Sequence, residues 1–255
     1  MDMGLQGARV IVTAGAAGIG RVILERFLDE GAQVATCDID AAALATLPQG
    51  VFAEQVDVGD AGAFGAFIDR AIARLGGLDT LVNNAGIAGP TAGVGAIDLA
   101  DWQRTLDVVL TSQFIAVRHA VEALRRSANP SITNMSSAAG RLGFALRTPY
   151  AAAKWGVIGF TKSLSIELGG DGIRANAILP GLVAGERQRR VLEAKAQQRG
   201  LPQAEIEAEA FRATSIKDYV TPQALADQVL FLASPRGRFT SGQAISVCGD
   251  LQMLA

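Results

Sequence analysis

The sequence predicts an α/β fold in which helices cover both faces of a parallel β-sheet. Short apolar runs alternate along the chain with longer segments of helical periodicity. The runs are apolar on both faces and rich in β-branched residues, which is typical of parallel strands buried between two helical layers. The 255 residues contain no linker, repeat or low-complexity tract, and α/β chains of this length routinely form a single domain.

The predicted strands and helices follow one another in a regular order. The first half of the chain is a βαβαβ series, with helical patterns over Gly18 to Asp29, in a short segment after the second strand, and through Phe64 to Leu75. The strand-like runs are RVIVT at 9–13, QVATCD at 33–38, VFAEQVDV at 51–58, DTLVNNAG at 79–86, SITNMSS at 131–137, IRANAILPG at 173–181 and QAISVCG at 243–249. The charged segment 186–213 departs from this alternation. Gly200 and Pro202 divide it into two helical stretches, which we expect on the surface.

The composition excludes several classes of partner. A net charge of −2 provides no basic field to gather phosphates, so neither nucleic acid nor an anionic membrane is expected to bind. No segment approaches the length of a membrane span, and the first residues lack the features of a signal peptide. Cys37 and Cys248 lie far apart in apolar runs, which favours buried free thiols in a reducing compartment and no metal site. We therefore expect a cytoplasmic protein that acts on a small molecule.

A glycine-rich turn, TAGAAGIG at 13–20, follows the first predicted strand and opens the first predicted helix. Gly15, Gly18 and Gly20 let the backbone approach a bound group closely, and the free N–H groups of a helix N-terminus favour a pyrophosphate there. Tight strand-to-helix turns also require glycine for structural reasons alone. The glycine turn therefore predicts a dinucleotide site only if a second feature of such a site is found near it in the sequence.

Asp38 supplies that second feature, because it ends the second predicted strand, 18 residues beyond Gly20. A carboxylate there can accept hydrogen bonds from the ribose hydroxyls of an adenine dinucleotide and repels a 2′-phosphate. Ala16 and Ala17 offer no cation that would compensate this repulsion. The alternative is a helix-capping aspartate, a role for which Asp40 competes. The sequence predicts NAD as the cofactor.

The segment TPYAAAKWG at 148–156 places Tyr150 and Lys154 four residues apart, which on a helix puts both side chains on one face. A free phenol has a pKa of roughly 10 and is a poor base at neutral pH. A lysine ammonium one turn away favours the ionised phenol, which can then exchange a proton with an alcohol. Such pairs also occur by chance on solvated helices, so the remaining motifs decide between the two interpretations.

These motifs fall in one order along the chain: the glycine turn, Asp38, NNAG at 83–86, Ser137, Tyr150, Lys154 and PG at 180–181. Together they resemble the short-chain dehydrogenase/reductase family, over essentially the whole chain. The resemblance implies a single Rossmann-type, doubly wound domain over 1–255, with a seven-stranded parallel sheet and helices on both faces. It also implies a nicotinamide cofactor, a homotetramer built partly from the long helices, and a helical substrate lid at about 182–219.

The resemblance also implies roles for individual residues. Tyr150 exchanges the hydroxyl proton, Ser137 hydrogen-bonds the substrate oxygen and Lys154 also holds the ribose hydroxyls. A serine that only satisfies the local backbone is the structural alternative for Ser137. The implied cofactor-binding residues are Gly15, Ala17, Gly18, Ile19, Gly20, Asp38, Ile39, Asp57, Val58, Asn84, Ala85, Gly86, Tyr150, Lys154, Pro180, Gly181 and Val183. Among them, Asp57 and Val58 are expected to flank the adenine.

The sequence departs from the family pattern in four places. Ala14 replaces a usual glycine, Gly185 replaces a usual threonine, and the last strand ends in CGD at 248–250. Val109 stands where the family has a fourth catalytic residue, an asparagine, so we assign three catalytic residues. The resemblance implies that this asparagine helps to hold a local helix distortion, whose main-chain carbonyl positions a water beside the catalytic lysine and so extends a proton relay to solvent. A π-bulge or an inserted water could keep the Val109 carbonyl available to this relay. We therefore expect an active enzyme with a looser relay.

Arginines near the predicted site suggest a substrate class. Most of them are expected to be solvated or paired with local acids such as Glu186, but one that reaches the cleft could bind a carboxylate bidentately. The candidates are Arg141, Arg147 and Arg187. A hydroxy acid or sugar acid is therefore the leading substrate, and a polyol, cyclic alcohol or secondary alcohol is the alternative. His119, the single histidine, is interpreted as structural.

Two rival functions share these motifs. A 3-oxoacyl carrier-protein reductase has the same fold but usually prefers the phosphorylated cofactor, which Asp38 disfavours. A catalytically weak, NAD-binding regulatory protein is suggested by Val109. The intact set of Ser137, Tyr150 and Lys154 argues against this second rival.

Overall fold

The computed structural model describes residues 2–254, which form one seven-stranded parallel sheet in the order β3-β2-β1-β4-β5-β6-β7. The strands are β1 Arg9–Thr13, β2 Gln33–Asp38, β3 Phe52–Gln55, β4 Thr80–Asn83, β5 Ser131–Met135, β6 Arg174–Pro180 and β7 Ala244–Val247. The order reverses between β1 and β4, which leaves a crevice at the carboxyl ends of these two strands, where ligands of open α/β sheets bind. The predicted fold class is confirmed.

Helices cover both faces of the sheet and produce two separate apolar cores. Along β1, Ile11 packs in one core, whereas Val10 and Val12 pack in the other. This is why strands of such a sheet must be apolar on both faces. The helices are α1 Gly18–Asp29, α2 Ala41–Leu44, α3 Ala61–Leu75, α4 Leu99–Leu106, α5 Ser112–Leu124, α6 Thr148–Leu168, α7 Glu186–Arg199, α8 Gln203–Arg212 and α9 Pro222–Ala233. None of the helices described here is both long and apolar enough to cross a membrane.

Local capping sets several helix boundaries. The bounds of α1 coincide with the predicted Gly18 to Asp29. Helix α3 begins three residues before the predicted Phe64, because the Asp60 carboxylate accepts hydrogen bonds from the N–H groups of Gly62 and Ala63 at 3.0 Å and caps the helix at Ala61.

The two thiols are free, as the sequence predicts, but they differ in burial. Cys37 is buried, and this burial raises the pKa of its thiol to about 12. Cys248 is only half-buried, which corrects the prediction that both cysteines are buried. The reason is its position just after the edge strand β7, which has a neighbouring strand on one side only.

The segment that the resemblance predicts as a substrate lid, residues 182–219, is called the lid below; it leaves the sheet after β6 and returns to almost the same point. Val183 and Val220 form a parallel bridge, in which Ala184 N donates to Val220 O at 3.0 Å and Val220 N to Leu182 O at 2.8 Å. Between these residues run α7 and α8, separated by Gly200, whose φ of 63° lies in the left-handed region that ends a helix. A small apolar cluster of Leu192, Ala196, Leu201 and Ile206 packs the two helices together.

Candidate active site

The glycine turn fits a pyrophosphate. Helix α1 begins at Gly18 with Ala17 as its N-cap residue, and no side chain of the described residues caps it, so its first N–H groups are available to an anion. A Cβ on Gly20 would collide with the Ala14 carbonyl, and one on Gly15 with the Thr36 hydroxyl. A Cβ on Gly18 would meet nothing within 4 Å, which shows open space above the turn. This cradle fits the diphosphate of a dinucleotide.

Ala14 takes up the strain of this turn, because its φ of 52° lies in the left-handed region that L-residues rarely adopt. The side-chain amide of Asn84 donates to the carbonyls of Thr13 and Ala14, both at 3.0 Å. The hydroxyl of Thr13 accepts from Asn84 N at 2.9 Å and from Ala85 N at 3.0 Å. The NNAG segment therefore holds the turn in its shape at the crevice between β1 and β4.

Asp38 lies at the end of β2, directly beside the glycine turn. Its Oδ2 accepts from Ala16 N at 3.2 Å, and its Oδ1 accepts from Asp40 N at the same distance. Asp40, not Asp38, caps α2, since its carboxylate accepts from Ala43 N at 3.0 Å. The capping role therefore belongs to Asp40, and the half-buried Asp38 carboxylate faces the turn, followed by the exposed side chain of Ile39.

Asp57, predicted to flank the adenine with the buried Val58, has a partner that the sequence did not suggest. Arg104 of α4 donates to both Asp57 oxygens at 2.8 and 2.9 Å, and Gly59 N donates to Oδ1 at 2.8 Å. Burial opposes the charge, but the bonds from Arg104 and Gly59 lower the pKa of the Asp57 carboxyl below its usual value. The Asp57 carboxylate is therefore oriented before any ligand binds.

The predicted catalytic residues lie at two adjoining places in the fold, the end of β5 and the start of α6. Ser137 follows β5, and its Oγ accepts from Ala139 N at 3.2 Å. A hydroxyl that accepts one bond can still donate another, so this backbone contact is compatible with binding a substrate oxygen. Tyr150 and Lys154 lie on the first two turns of α6, where the Lys154 ammonium is 5.6 Å from the centre of the Tyr150 ring.

Lys154 is anchored at the end of β5. Its ammonium donates to the Met135 carbonyl at 2.6 Å, and its own carbonyl accepts from the Ser136 hydroxyl at 2.8 Å. The side chain is buried, with 3% of the residue exposed. This anchoring fixes the charge of Lys154 beside Tyr150.

Val109 lies in a π-helical segment, Asp107–Thr111, between α4 and α5. The distortion predicted as one possibility is therefore present without an asparagine. Its carbonyl accepts from Gln113 Nε2 at 3.0 Å. A Cβ built on Gly86 would lie 3.7 Å from Lys154 Nζ and 4.0 Å from a methyl of Val109, so these three residues meet.

Gln113 was not identified from the sequence. It is buried, and its Oε1 has no hydrogen-bond partner among the described residues. The signal that could have revealed it is an amide four residues after Val109, one helical turn further along the same apolar stretch. Its bond to the Val109 carbonyl supports the local distortion from the following turn.

We expect Val109→Asn to change kcat by less than about tenfold and to act chiefly on its pH dependence. The substitution leaves the predicted acid/base pair, Tyr150 and Lys154, and the backbone carbonyl of residue 109 in place. The measurement is kcat of both proteins across pH on a substrate found by screening. A wild-type protein that binds NADH but is inactive, with activity only in the asparagine variant, would contradict the expectation.

The predicted substrate arginines lie in different surroundings. Arg141 donates to the Ala244 carbonyl and, at 3.2 Å, to the Ser246 hydroxyl, so its guanidinium is bound to β7. The Arg187 side chain is outside the part of the chain that the structure describes. Arg147 stacks beside Tyr150, with 5.0 Å between the guanidinium carbon and the ring centre.

The other charged side chains noted in the sequence pair locally. Arg189 and Arg190 both pair with Glu186, as expected. His119 Nδ1 lies 3.0 Å from Asp69, which suits its structural interpretation. Across residues 2–254, no group of three or more His, Cys, Asp or Glu side chains could hold a metal ion.

The turn after β6 places Pro180 and Gly181 alongside β7. Gly181 N donates to the Val247 carbonyl at 3.1 Å, and a Cβ on Gly181 would lie 2.7 Å from the Cα of Cys248. Only glycine fits this close approach. Val183, one of the cofactor-binding residues that the resemblance implies, follows at the base of the lid.

Residues 14–250 match a family model described as enoyl-(acyl carrier protein) reductase. The chain is 33% identical to cis-4-hydroxycyclohexanecarboxylate dehydrogenase from Sinomonas cyclohexanicum over 250 residues, which cover 94% of each protein. It is 34% identical to a probable galactose dehydrogenase from Rhizobium meliloti (strain 1021) over 255 residues, which cover 97% of this chain and 96% of that one. The chain belongs to the short-chain dehydrogenase/reductase family.

Two solved structures resemble this short-chain dehydrogenase/reductase closely. An actinorhodin polyketide ketoreductase with NADPH has a TM-score of 0.90 and 29% identity, over 96% of this chain and 97% of that one. The ligand-free aldohexose dehydrogenase of Thermoplasma acidophilum has a TM-score of 0.87 and 30% identity, over 98% and 96% of the two chains. The family consists of oxidoreductases that act on CH–OH donors with NAD or NADP, and the similar proteins interconvert hydroxyls and ketones.

Proposed function

We propose that this protein is an NAD-dependent oxidoreductase that interconverts a secondary hydroxyl and a ketone. The observation that carries the proposal is the Tyr150 and Lys154 pair on α6, anchored at the end of β5 close in sequence to Ser137. A screen of alcohols and hydroxy acids for NADH formation tests it. Absence of NADH formation with every class, in protein that binds NADH, would contradict the proposal.

The proposed chemistry divides the reaction between cofactor and protein. A bound nicotinamide supplies the hydride acceptor or donor. Tyr150 takes the hydroxyl proton of the alcohol, or returns it when a ketone is reduced, while Ser137 Oγ hydrogen-bonds the substrate oxygen. Lys154 favours the ionised phenol through its charge and holds the ribose hydroxyls.

The proposed cofactor site follows the crevice from the glycine turn to the base of the lid. The N-terminus of α1 holds the diphosphate, Asp38 binds the adenosine ribose, and Asn84 to Gly86 line the cofactor. Asp38 supports NAD rather than NADP, because its carboxylate repels a 2′-phosphate. A nearby cation could compensate this repulsion. Arg21 on the first helix is such a cation, but it is already bonded to Glu25 at 2.6 Å and to the Thr46 carbonyl at 3.0 Å.

We expect NAD to be preferred over NADP, and Asp38→Ala to narrow that preference at least about tenfold, which corresponds to about 1.4 kcal/mol. The measurement is the ratio of kcat/KM for the two cofactors. Asp40→Ala is the matched control, since it removes a neighbouring carboxylate that caps α2. Equal or better kcat/KM with NADP in the wild-type protein would exclude NAD specificity.

We propose a hydroxy acid or sugar acid as the substrate. Arg147 beside Tyr150 supports this proposal, because a guanidinium can bind a carboxylate bidentately. The similarity to a dehydrogenase of a hydroxycyclohexanecarboxylate supports it as well. The similarity to dehydrogenases of galactose and aldohexose supports the alternative, a neutral polyhydroxy compound.

A carrier-protein-linked reductase is the second candidate function. The description of the matching family model and the NADPH in the ketoreductase structure favour it. Asp38 argues against this function, because such reductases usually prefer NADP and the Asp38 carboxylate repels its 2′-phosphate. The π-helical segment Asp107–Thr111 argues against an inactive regulatory protein. The local helix distortion is present there although Val109 replaces the family asparagine.

We further propose a homotetramer that associates through α5 and α6. These helices carry three exposed large apolar side chains: Phe114, Trp155 and Ile166. Such residues on neighbouring helices are typical of an interface that a monomer leaves uncovered. A cytoplasmic location remains a prediction.

A further inference from the structure

A single buried amide bonds two main-chain carbonyls close to Lys154. Gln113 Nε2 donates to the Val109 carbonyl at 3.0 Å and makes a longer contact of 3.5 Å with the Met135 carbonyl. The Met135 carbonyl also accepts from the Lys154 ammonium at 2.6 Å. The amide of Gln113 and the ammonium of Lys154 therefore meet at the same carbonyl oxygen.

The π-helical segment explains why a side chain bonds the Val109 carbonyl. The backbone N–H of Ser112 donates to the Asp107 carbonyl, five residues earlier, and not to the Val108 carbonyl as in an α-helix. The Ser112 hydroxyl instead donates to the Val108 carbonyl at 2.8 Å, just as Gln113 Nε2 donates to the Val109 carbonyl. Two consecutive side chains thus each bond the carbonyl four residues earlier, so the residues after Val109 support the distortion.

The orientation of the Gln113 amide follows from the same two carbonyls. The reverse orientation would place Oε1 against the carbonyl oxygens of Val109 and Met135, which are acceptors like itself. Only 1% of Gln113 is exposed, and its Oε1 has no hydrogen-bond partner among the described residues. A buried acceptor without a partner lowers the stability of a fold. Packing alone therefore does not account for an amide at this position.

We propose that Gln113 is a positioning residue of the active site. Its amide holds the Val109 and Met135 carbonyls, and through the Met135 carbonyl it fixes the ammonium of Lys154 beside Tyr150. This inference rests on the proposed oxidoreductase function and adds a residue to it. Gln113 in this arrangement supplies the amide that position 109 lacks.

The first test is Gln113→Met, which removes the amide and fills a similar volume. We expect kcat to fall at least about fivefold and the Kd for NADH to rise at least about threefold, because a displaced Lys154 ammonium acts less well on the phenol and the ribose. The Tm should change by less than about 3 °C, since the lost hydrogen bond is offset by removal of the unpartnered oxygen. Steady-state kinetics, fluorescence titration and thermal unfolding provide the measurements.

The second test places an amide at position 109 in the Gln113→Met background. The double variant Val109→Asn/Gln113→Met should have a kcat at least about threefold higher than Gln113→Met, and its Kd for NADH should return towards the wild-type value. A residue that only fills space would not be replaced by an amide on the preceding turn. The rescue therefore distinguishes positioning from packing.

Gln103→Met is the matched control, because Gln103 is an exposed glutamine of α4 close to the same segment. Its Nε2 donates to the Asp107 carboxylate at 2.8 Å, so the substitution removes an amide that bonds a side chain and no main-chain carbonyl near Lys154. This variant should keep the wild-type kcat and Kd for NADH.

A loss of kcat or of NADH affinity in Gln113→Met that Val109→Asn recovers supports the proposal. The proposal is overturned if Gln113→Met keeps both wild-type values, if the double variant performs no better than Gln113→Met, or if Gln103→Met shows the same losses. NADH formation from alcohols by the wild-type protein tests the oxidoreductase proposal by itself. The comparison of NADH affinities needs no turnover, so either proposal can fail without the other.

Discussion

Replacing Tyr150 by phenylalanine is expected to lower kcat by at least about 100-fold while leaving the affinity for NADH almost unchanged. The substitution removes only the phenolic oxygen, which is the proposed proton donor and acceptor. The ring, with its edge contact to Phe144, stays in place. Steady-state kinetics and NADH titration of both proteins provide the measurement.

The chain offers a close control for this prediction, since Tyr219 is its other tyrosine. Tyr219 hydrogen-bonds Glu207 and packs against Phe211 with a ring separation of 4.9 Å at the base of the lid. Tyr219→Phe removes an equivalent hydroxyl and should keep most of the turnover. Retained turnover in Tyr150→Phe would show that another group performs the proton transfer.

Replacing Lys154 by methionine is expected to lower kcat at least about 100-fold and also to weaken NADH binding about tenfold or more. Two proposed roles would be lost together, because the ammonium is proposed to favour the ionised phenol and to hold the ribose hydroxyls. Methionine fills a similar volume, which limits the cost of truncating a buried side chain. Lys162→Met is the control, because Lys162 is exposed two turns further along α6.

The two parts of this prediction are measured separately. Thermal unfolding of the Lys154→Met protein shows whether the fold is intact, and fluorescence titration gives its Kd for NADH. An unchanged Kd with lost turnover would remove the ribose-binding role and keep the electrostatic one. An unchanged kcat would contradict the proposed chemistry of the pair.

Much of the fold follows from local patterns in the sequence. The bounds of α1 were predicted because a glycine turn and an apolar periodicity both mark its start. The seven strands were found because burial on both faces produces continuous apolar runs. The Tyr150 and Lys154 pair was found because a fixed helical spacing places both residues on one face.

Contacts between distant segments could not be predicted in this way. Arg104 of α4 meets Asp57, which lies 47 residues earlier in the chain, only when the two segments are folded together. The contact of Gln113 with the Val109 carbonyl is local, but it accompanies a π-helical segment that the apolar pattern does not specify. Lys195 lies in a charge-dense stretch, a pattern that is typical of a solvated surface. Its burial against Phe144 arises only when the lid is folded onto the core.

The bridge between Val183 and Val220 makes the lid a closed loop whose two ends are adjacent. The conformational entropy of closing such a loop grows only with the logarithm of its length, so insertions or exchanges between these two residues cost the sheet little stability. Exchanging the lid between these two residues would therefore replace Lys195 and leave Arg147, Tyr150 and Lys154 in place in the core. The lid and the core are in this sense separable modules.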